Sequence, residues 1–347
     1  MNLHEGLGFK FLSYQEQEAY KVMLKFFSTM EATLDCSQMD RGIDLMKVMQ
    51  TVLRDNPSII YFKKTEIRIK ESAMYKRIIL KEVRLKSQLQ KMNMALEATA
   101  NAIIYKAISS VRSMPNDKLS LLIYIYNYLQ KHVRYDKREY QVISKRGTGN
   151  SLEAHNAYGA LIHRVAVCDG FSSAFALLAQ KLGFDCMIVS GLGSSSSTEE
   201  PEPHAWNVVR VIDRFYHMDV TWDASAYKSR RKYSYDYFAI SDEEISVDHD
   251  WDKATTPICL SNDFSCHMKN LLYAENDEQL NEIIKGHSQK GTKIFRLKLS
   301  NNVLLPNNAG EYLAQKILDE AVNAKENIKI CYNWDDNTRY FFARTMN

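Results

Sequence analysis

AHNAYGALIHRVAVCDGFSSAFALLAQKLGFDCMIVSG, residues 154–191, and HAWNVVRVIDRFYHMDVTWDAS, residues 204–225, decide the reading of this chain. In the first block Val165, Ala166 and Val167 form a short apolar run. After Cys168 the residues Phe171, Ala174, Phe175, Leu178 and Leu182 recur at three- and four-residue spacing until Gly183, which predicts a helix opening at the cysteine. At a helix N-terminus the backbone N–H groups and the dipole favour a thiolate, the nucleophilic form, over a thiol. Most free cysteines are buried and inert, so position alone does not make Cys168 a nucleophile.

The second block adds a histidine and an aspartate. HAWNVVRVI and FYHMDVTW alternate like the strands of a hairpin with a turn near Asp213-Arg214. Side chains repeat every second residue along a strand, so His204 and Asp219 share a face. A two-residue loop at that turn sets His204 opposite Asp223 and Asp219 opposite Val208. The offset is then roughly 13 Å of strand, too far for a hydrogen bond. A Cys–His–Asp site therefore requires a longer turn, a bulge or another register, and regular two-residue pairing counts against it.

YGALIHRVAVCDGFSSAF, HAWNVVRVIDRFYHMDVTWD and YFAISDEEISVDH together resemble the core of the transglutaminase-like superfamily, in the form found in many bacterial proteins. The resemblance covers roughly the middle third of the chain, and three ordered blocks are more specific than a lone Cys–His pair. It implies an α+β fold: a papain-like, transglutaminase-like core with a helical N-terminal region and a small C-terminal α/β module. It also implies a triad of Cys168, His204 and Asp219. Asp169 and Phe171 stand where the family usually shows Glu and Tyr, and both keep the chemical type.

The implied chemistry is acyl transfer through a thioester, a hydrolase-type or acyltransferase-type reaction. Cys168 attacks an amide carbonyl, His204 takes and returns the proton, and Asp219 holds the imidazole. The backbone N–H of Cys168 is the natural first oxyanion donor. Asn156 and Tyr158 are candidates for the second donor and for substrate binding, and each serves equally well as a turn cap or a core residue. Trp206 reads first as a water-excluding wall and second as a substrate contact, as does Trp222.

With 347 residues the chain is long enough for two or three domains. A net charge of +3 implies no nucleic-acid or membrane attraction by itself. The six cysteines (Cys36, Cys168, Cys186, Cys259, Cys266 and Cys331) show no CxxC and no Cys/His metal spacing, and no calcium-loop pattern is present, so no metal or other cofactor is expected. No apolar run approaches a membrane span. MNLHEGLGFKFLSYQE lacks a signal-peptide core, so a cytoplasmic location is expected as the chain stands, and an extracellular or cell-surface one if a signal was removed.

Residues 1–115 read as a mostly helical region with a short strand pair, 116–257 as the catalytic core and 258–347 as the C-terminal module. Helices are expected near residues 14–35, 43–53, 72–112 and 119–132, and Lys137–Asn150 reads as a polar connector. Helix 72–112 is basic on one face, but interspersed glutamates and few aromatics favour a solvated surface over nucleic-acid binding. Ser241 with Glu244 forms a capping box. GLGSSSSTEEPEP (191–203) is a candidate lid, with Ser194–Thr198 its flexible part, and the basic KSRRK (228–232) a weaker candidate for the cleft rim. The last third alternates helix and strand and ends in a hairpin. The expected partner is a peptide or protein substrate, with no nucleic acid and no membrane span. The rival reading is an inactive transglutaminase-type fold kept for binding or scaffolding.

Overall fold

The computed structural model describes residues 3–61, 67–72, 75–81, 84–110, 118–147, 149–194, 200–230, 233–261, 264, 273–289, 294–300, 302–323, 329–335 and 340–346. It divides into two compact units. The first comprises Met1–Leu192, Pro203–Ser234 and Trp251–Ile258, and the second Gly193–Glu202, Tyr235–Asp250 and Cys259–Asn347. Both mix helix and strand, and the fold is α+β. Among the described residues no helix is long and apolar enough to cross a membrane.

The first unit opens with helix α1 (Tyr14–Thr29), started by a full capping box between Ser13 and Glu16 and ended at Met30 in the left-handed conformation. Strand β1 (Thr33–Asp35), helix α2 (Leu45–Asp55) and strands β2 (Ile67–Glu71) and β3 (Lys76–Leu80) follow. The three strands form an antiparallel sheet in the order β1-β3-β2. Tyr20, Met23 and Phe27 of α1 bury against Val48, Met49 and Val52 of α2 and Ile78 of β3. The expected long helix from residue 72 is therefore a strand followed by helix α3 (Lys86–Ser110). In β3 the burial of KRIIL alternates, so its β-branched residues serve the sheet and not a helical stripe.

Helix α4 (Lys118–His132) leads through β4 (Arg134–Tyr135) into helix α5 (Lys137–Arg146). The segment expected to be a connector is thus helical over its first ten residues. Asp136 caps it by accepting from the N–H groups of Arg138 and Glu139, and Gly147 ends it at φ 72°.

Strand β5 (Val165–Ala166) precedes helix α6 (Cys168–Lys181), in which every residue from Gly170 to Ala179 is buried. Gly170 is required: a Cβ there would come within 2.5 Å of the Ala154 carbonyl oxygen and 2.6 Å of Ala166 Cβ. Gly183, at φ 82°, turns the chain away after the helix.

Strands β6 (Cys186–Gly193), β7 (Glu202–Val211) and β8 (Arg214–Met218) then lie side by side in that order. The β7–β8 hairpin turns on two residues, Ile212 and Asp213, with Val211 opposite Arg214 and Asn207 opposite Met218. Ile212 sits at φ 59°, a conformation that a β-branched residue seldom adopts and that sequence does not announce. Beyond Met218 the expected strand continuation is instead helix α7 (Val220–Arg230).

In the second unit β9 (Phe238–Ile240) is followed by the short helix α8 (Asp242–Ile245) with its Ser241–Glu244 capping box, and by β10 (His249–Asp250). Strand β11 (Tyr273–Ala274), helix α9 (Asp277–Gln289), strand β12 (Ile294–Leu299), helix α10 (Ala309–Asn323) and strands β13 (Lys329–Asp335) and β14 (Tyr340–Met346) complete it. The sheet order is β11-β12-β14-β13, and β13 and β14 form the expected antiparallel hairpin. Its core joins Leu280 and Ile284 to Phe295, Leu297, Leu313, Ile317 and Phe341.

Candidate active site

Cys168 is the first residue of α6. Val167 before it supplies no side-chain cap, so the leading backbone N–H groups of the helix lack the partner that Ser or Asp would provide. Cys168 is half-buried, whereas Cys36, Cys186 and Cys259 are buried. Burial pushes the thiol of Cys36 up to about 11 and raises those of Cys186 and Cys259 as well.

His204 lies on β7, with its side chain 8% exposed. Its Nε2 is 2.7 Å from Oδ2 of Asp219, and the Cys168 side chain is near enough to act electrostatically on the ring. Since Nε2 is taken by the carboxylate, Nδ1 is the nitrogen left for the thiol. Burial alone would depress the imidazole, but the charge and hydrogen bond of Asp219, with a further contribution from Cys168, raise it to about 9.

The strand offset that stood against this contact is resolved by the register. With the loop at Ile212-Asp213, Asp219 extends to a position opposite Trp206, two residues from His204 and not four. A diagonal of about 7–8 Å is within reach of two long side chains. Regular two-residue pairing and the His204–Asp219 contact therefore coexist. Asp219 sits just past the last paired residue, where it starts α7: its Oδ1 accepts from the N–H groups of Thr221 (2.8 Å) and Trp222 (3.2 Å). One oxygen caps the helix and the other holds the imidazole, so the carboxylate cannot rotate without losing both.

Two indoles bracket the imidazole. Trp206 is 1% exposed, stacks on His204 at 5.9 Å between ring centroids and donates its Nε1–H to Nδ1 of His217 at 2.9 Å. Such burial makes it a wall behind His204 and removes it from the surface a substrate touches. Trp222, half-buried, lies 5.3 Å from the imidazole centroid.

Asn156 acts locally. Its Oδ1 accepts from Tyr158 N–H and Gly159 N–H, and its Nδ2 donates to the Leu152 carbonyl. The amide that was a candidate oxyanion donor is thus engaged in its own turn. Tyr158 is half-buried, with its ring edge-on to His163 at 5.2 Å. Of the lid candidate, residues 195–199 lie outside the described residues, as do 231 and 232 of the basic loop.

Sequence reasoning missed two clusters around these three side chains. Tyr126 of α4, fully buried, places its hydroxyl 2.8 Å from the Asp219 carbonyl oxygen and 2.5 Å from Oδ2 of Asp223. His155 holds Oδ2 of Asp169 on Nδ1 at 2.8 Å and Oε1 of buried Glu139 on Nε2 at 3.3 Å. Burial works against its charge, and the two carboxylates override it, so its pKa is raised. The acid next to the cysteine was legible as a family position. The partners, from separate helices, were not.

Residues 106–220 match the family model of the transglutaminase-like superfamily, a span that contains Cys168, His204 and Asp219. The chain thus carries a transglutaminase-like domain. Solved structures similar to parts of it include a TGase (17% identity, 45% of this chain and 43% of that one, TM-score 0.30). Another is a candidate cysteine protease from Cytophaga hutchinsonii (12% identity, 45% of this chain and 61% of that one, TM-score 0.27). The chain therefore spans less than two thirds of either structure. No curated protein matches it in sequence.

Proposed function

We propose that this protein is a cysteine acyl-transfer enzyme acting on an amide, either a peptide bond or a protein glutamine. The observation that carries this reading is the His204–Asp219 hydrogen bond of 2.7 Å beside a cysteine that opens helix α6 and acts electrostatically on the same imidazole. Cys168 passes its proton to His204 and attacks the carbonyl carbon. The tetrahedral oxyanion forms against the backbone N–H of Cys168 at the head of α6. The imidazolium, kept charged by Asp219, returns the proton to the leaving amine as the thioester forms. Water or a second amine, deprotonated by His204, then releases the acyl group and regenerates the thiol. The Trp206 and Trp222 rings keep water from the imidazole, which strengthens its pairing with Asp219.

The test is to incubate the protein with a pool of glutamine-containing peptides, with and without a primary amine. Products are followed by mass spectrometry against Cys168→Ala. Loss of ammonia or peptide cleavage in the absence of amine means hydrolysis, and a mass gain equal to the amine less ammonia means transfer. Either must vanish in Cys168→Ala. Identical product in wild type and variant would refute the assignment.

A further inference from the structure

We infer that four cations near Cys168, namely Lys106, Lys131, Arg134 and Arg164, form a docking surface for an acidic segment of a protein substrate, an assignment that rests on the acyl-transfer reading. Separate elements bring them together. Lys106 is on α3, Lys131 and His132 end α4, and Arg134 opens β4. The N–H of Arg134 donates to the Arg164 carbonyl at 2.8 Å, which seats Arg164 beside the end of α4. Arg164 also acts electrostatically on Tyr128, whose ring lies against His132 with 4.5 Å between centroids. Partial burial lowers the pKa of His132, and Arg164, Lys131 and Lys106 lower it further, so the charges acting on this ring are all positive. Among the described residues none of the four cations pairs with a carboxylate, and all four are exposed. Like charges gathered on one surface repel, and a negative partner relieves that repulsion.

The backbone adds a second sign. Arg164 closes the turn Gly159–His163 at φ 58° and ψ 29°, a left-handed position that Gly or Asn occupies with less strain. A long cationic side chain kept at such a position points to a role. Its place in the chain decides the partner. Arg164 stands four residues before Cys168, so its Cα lies within about 14 Å of that of the nucleophile. Exposed cations spread over several elements suit charges spaced along a chain better than a single phosphate, which backbone N–H groups would cradle. A protein substrate that sets its reactive amide at Cys168 brings carboxylates about three to five residues away within reach of this surface. A nucleic acid has no such reason to approach the thiol, and the net charge of the chain is only +3.

The test uses the full chain and two fluorescent peptides that share a central glutamine, flanked on both sides by glutamates in one and by serines in the other. Fluorescence anisotropy at low salt should show the glutamate peptide bound about tenfold tighter or more. That preference should fade at about 0.5 M salt and fall to within about twofold in K106Q/K131Q/R164G. The control K25Q/K91Q/K285Q, which removes the same charge at other exposed lysines, should keep it. Equal binding of the two peptides by wild type, or a preference that survives in K106Q/K131Q/R164G, would overturn the inference. A single-stranded thymidine oligonucleotide that binds more tightly than the glutamate peptide, and is released by the same variant, would overturn it in favour of nucleic acid. Should the triple variant fail to fold, R164G, whose new residue suits the turn, takes its place, and an undiminished preference there would equally overturn the inference. The glutamate peptide should also slow iodoacetamide labelling of Cys168 in proportion to the fraction of protein bound. Binding without that protection would overturn the substrate role. Were wild-type Cys168 no more reactive than the other cysteines, the acyl-transfer reading would fall, while the anisotropy would still decide whether the surface takes acidic chains.

Discussion

His155 and His204 are both histidines whose pKa carboxylates raise beside the start of the same helix, and the proposed chemistry gives them different work. Both ring nitrogens of His155 are occupied by carboxylates, Asp169 at 2.8 Å and Glu139 at 3.3 Å. His204 gives Nε2 to the carboxylate of Asp219, and its further electrostatic partner is the Cys168 side chain. A histidine with acids on both sides is a cationic tie between elements, joining α5, the turn at residues 153–155 and the first turn of α6. One with an acid behind and a thiol in front can move a proton. Charge alone does not mark a general base; what matters is what the second nitrogen faces.

The largest effect should come from Asp219→Ala. It removes the α7 cap and the ion pair that keeps the buried imidazole charged, so urea unfolding should show a loss of about 3–5 kcal/mol. The corresponding loss for Asp169→Ala, whose partner keeps Glu139 and whose own side chain is 45% exposed, should be much smaller. Equal losses would erase the distinction between the two clusters.

Next comes pH. The His204 pKa is raised from 6.5 to about 9, so its charged form stabilises the fold. That contribution is complete below pH 6.5 and disappears as pH rises through about 9, amounting to about 3 kcal/mol. Denaturant midpoints of wild type minus His204→Gln should decline across that window. A flat difference would mean that Asp219 does not hold the imidazole charged.

His155→Gln should destabilise by about 1–3 kcal/mol, because it leaves buried Glu139 with one partner fewer. It should leave the rate of Cys168 alkylation within about threefold, since no ring nitrogen of His155 is placed for transfer. A collapse in alkylation without loss of stability would make His155 part of the chemistry.

The smallest expected change is a gain. Ile212, 69% exposed at φ 59°, occupies a conformation that costs an L-residue about 1–2 kcal/mol, whereas Asn tolerates it. Ile212→Asn should raise the unfolding midpoint by the equivalent of about 1 kcal/mol. It should not alter labelling, because the register that brings Asp219 to His204 stays the same.

The same positions explain what the sequence made legible. The helix behind Cys168 was readable because Phe171, Ala174, Phe175 and Leu178 keep its period and Gly183 ends it, all local signals. The hairpin was readable from alternation, but its turn was placed one residue late because Ile212 gives no sign of a positive φ. VTW looked like strand from β-branched and aromatic content. It is helix because Asp219 caps it and Tyr126, 97 residues from Asp223, anchors it. Helix α5 had its signals in Asp136, Glu139 and Gly147, and its polar composition masked them. Local periodicity survives in a sequence, whereas contacts between α4 and α7 leave no pattern that spacing can expose.

The most direct test of the account is the rate at which each cysteine of the native protein reacts with iodoacetamide near pH 7, followed by mass spectrometry in wild type, Cys168→Ala and His204→Ala. The account predicts one fast adduct in wild type, absent from Cys168→Ala and slowed about a hundredfold or more in His204→Ala. Equal, slow labelling in all three proteins would contradict it, leaving His204 and Asp219 a buried ion pair with no nucleophile to serve.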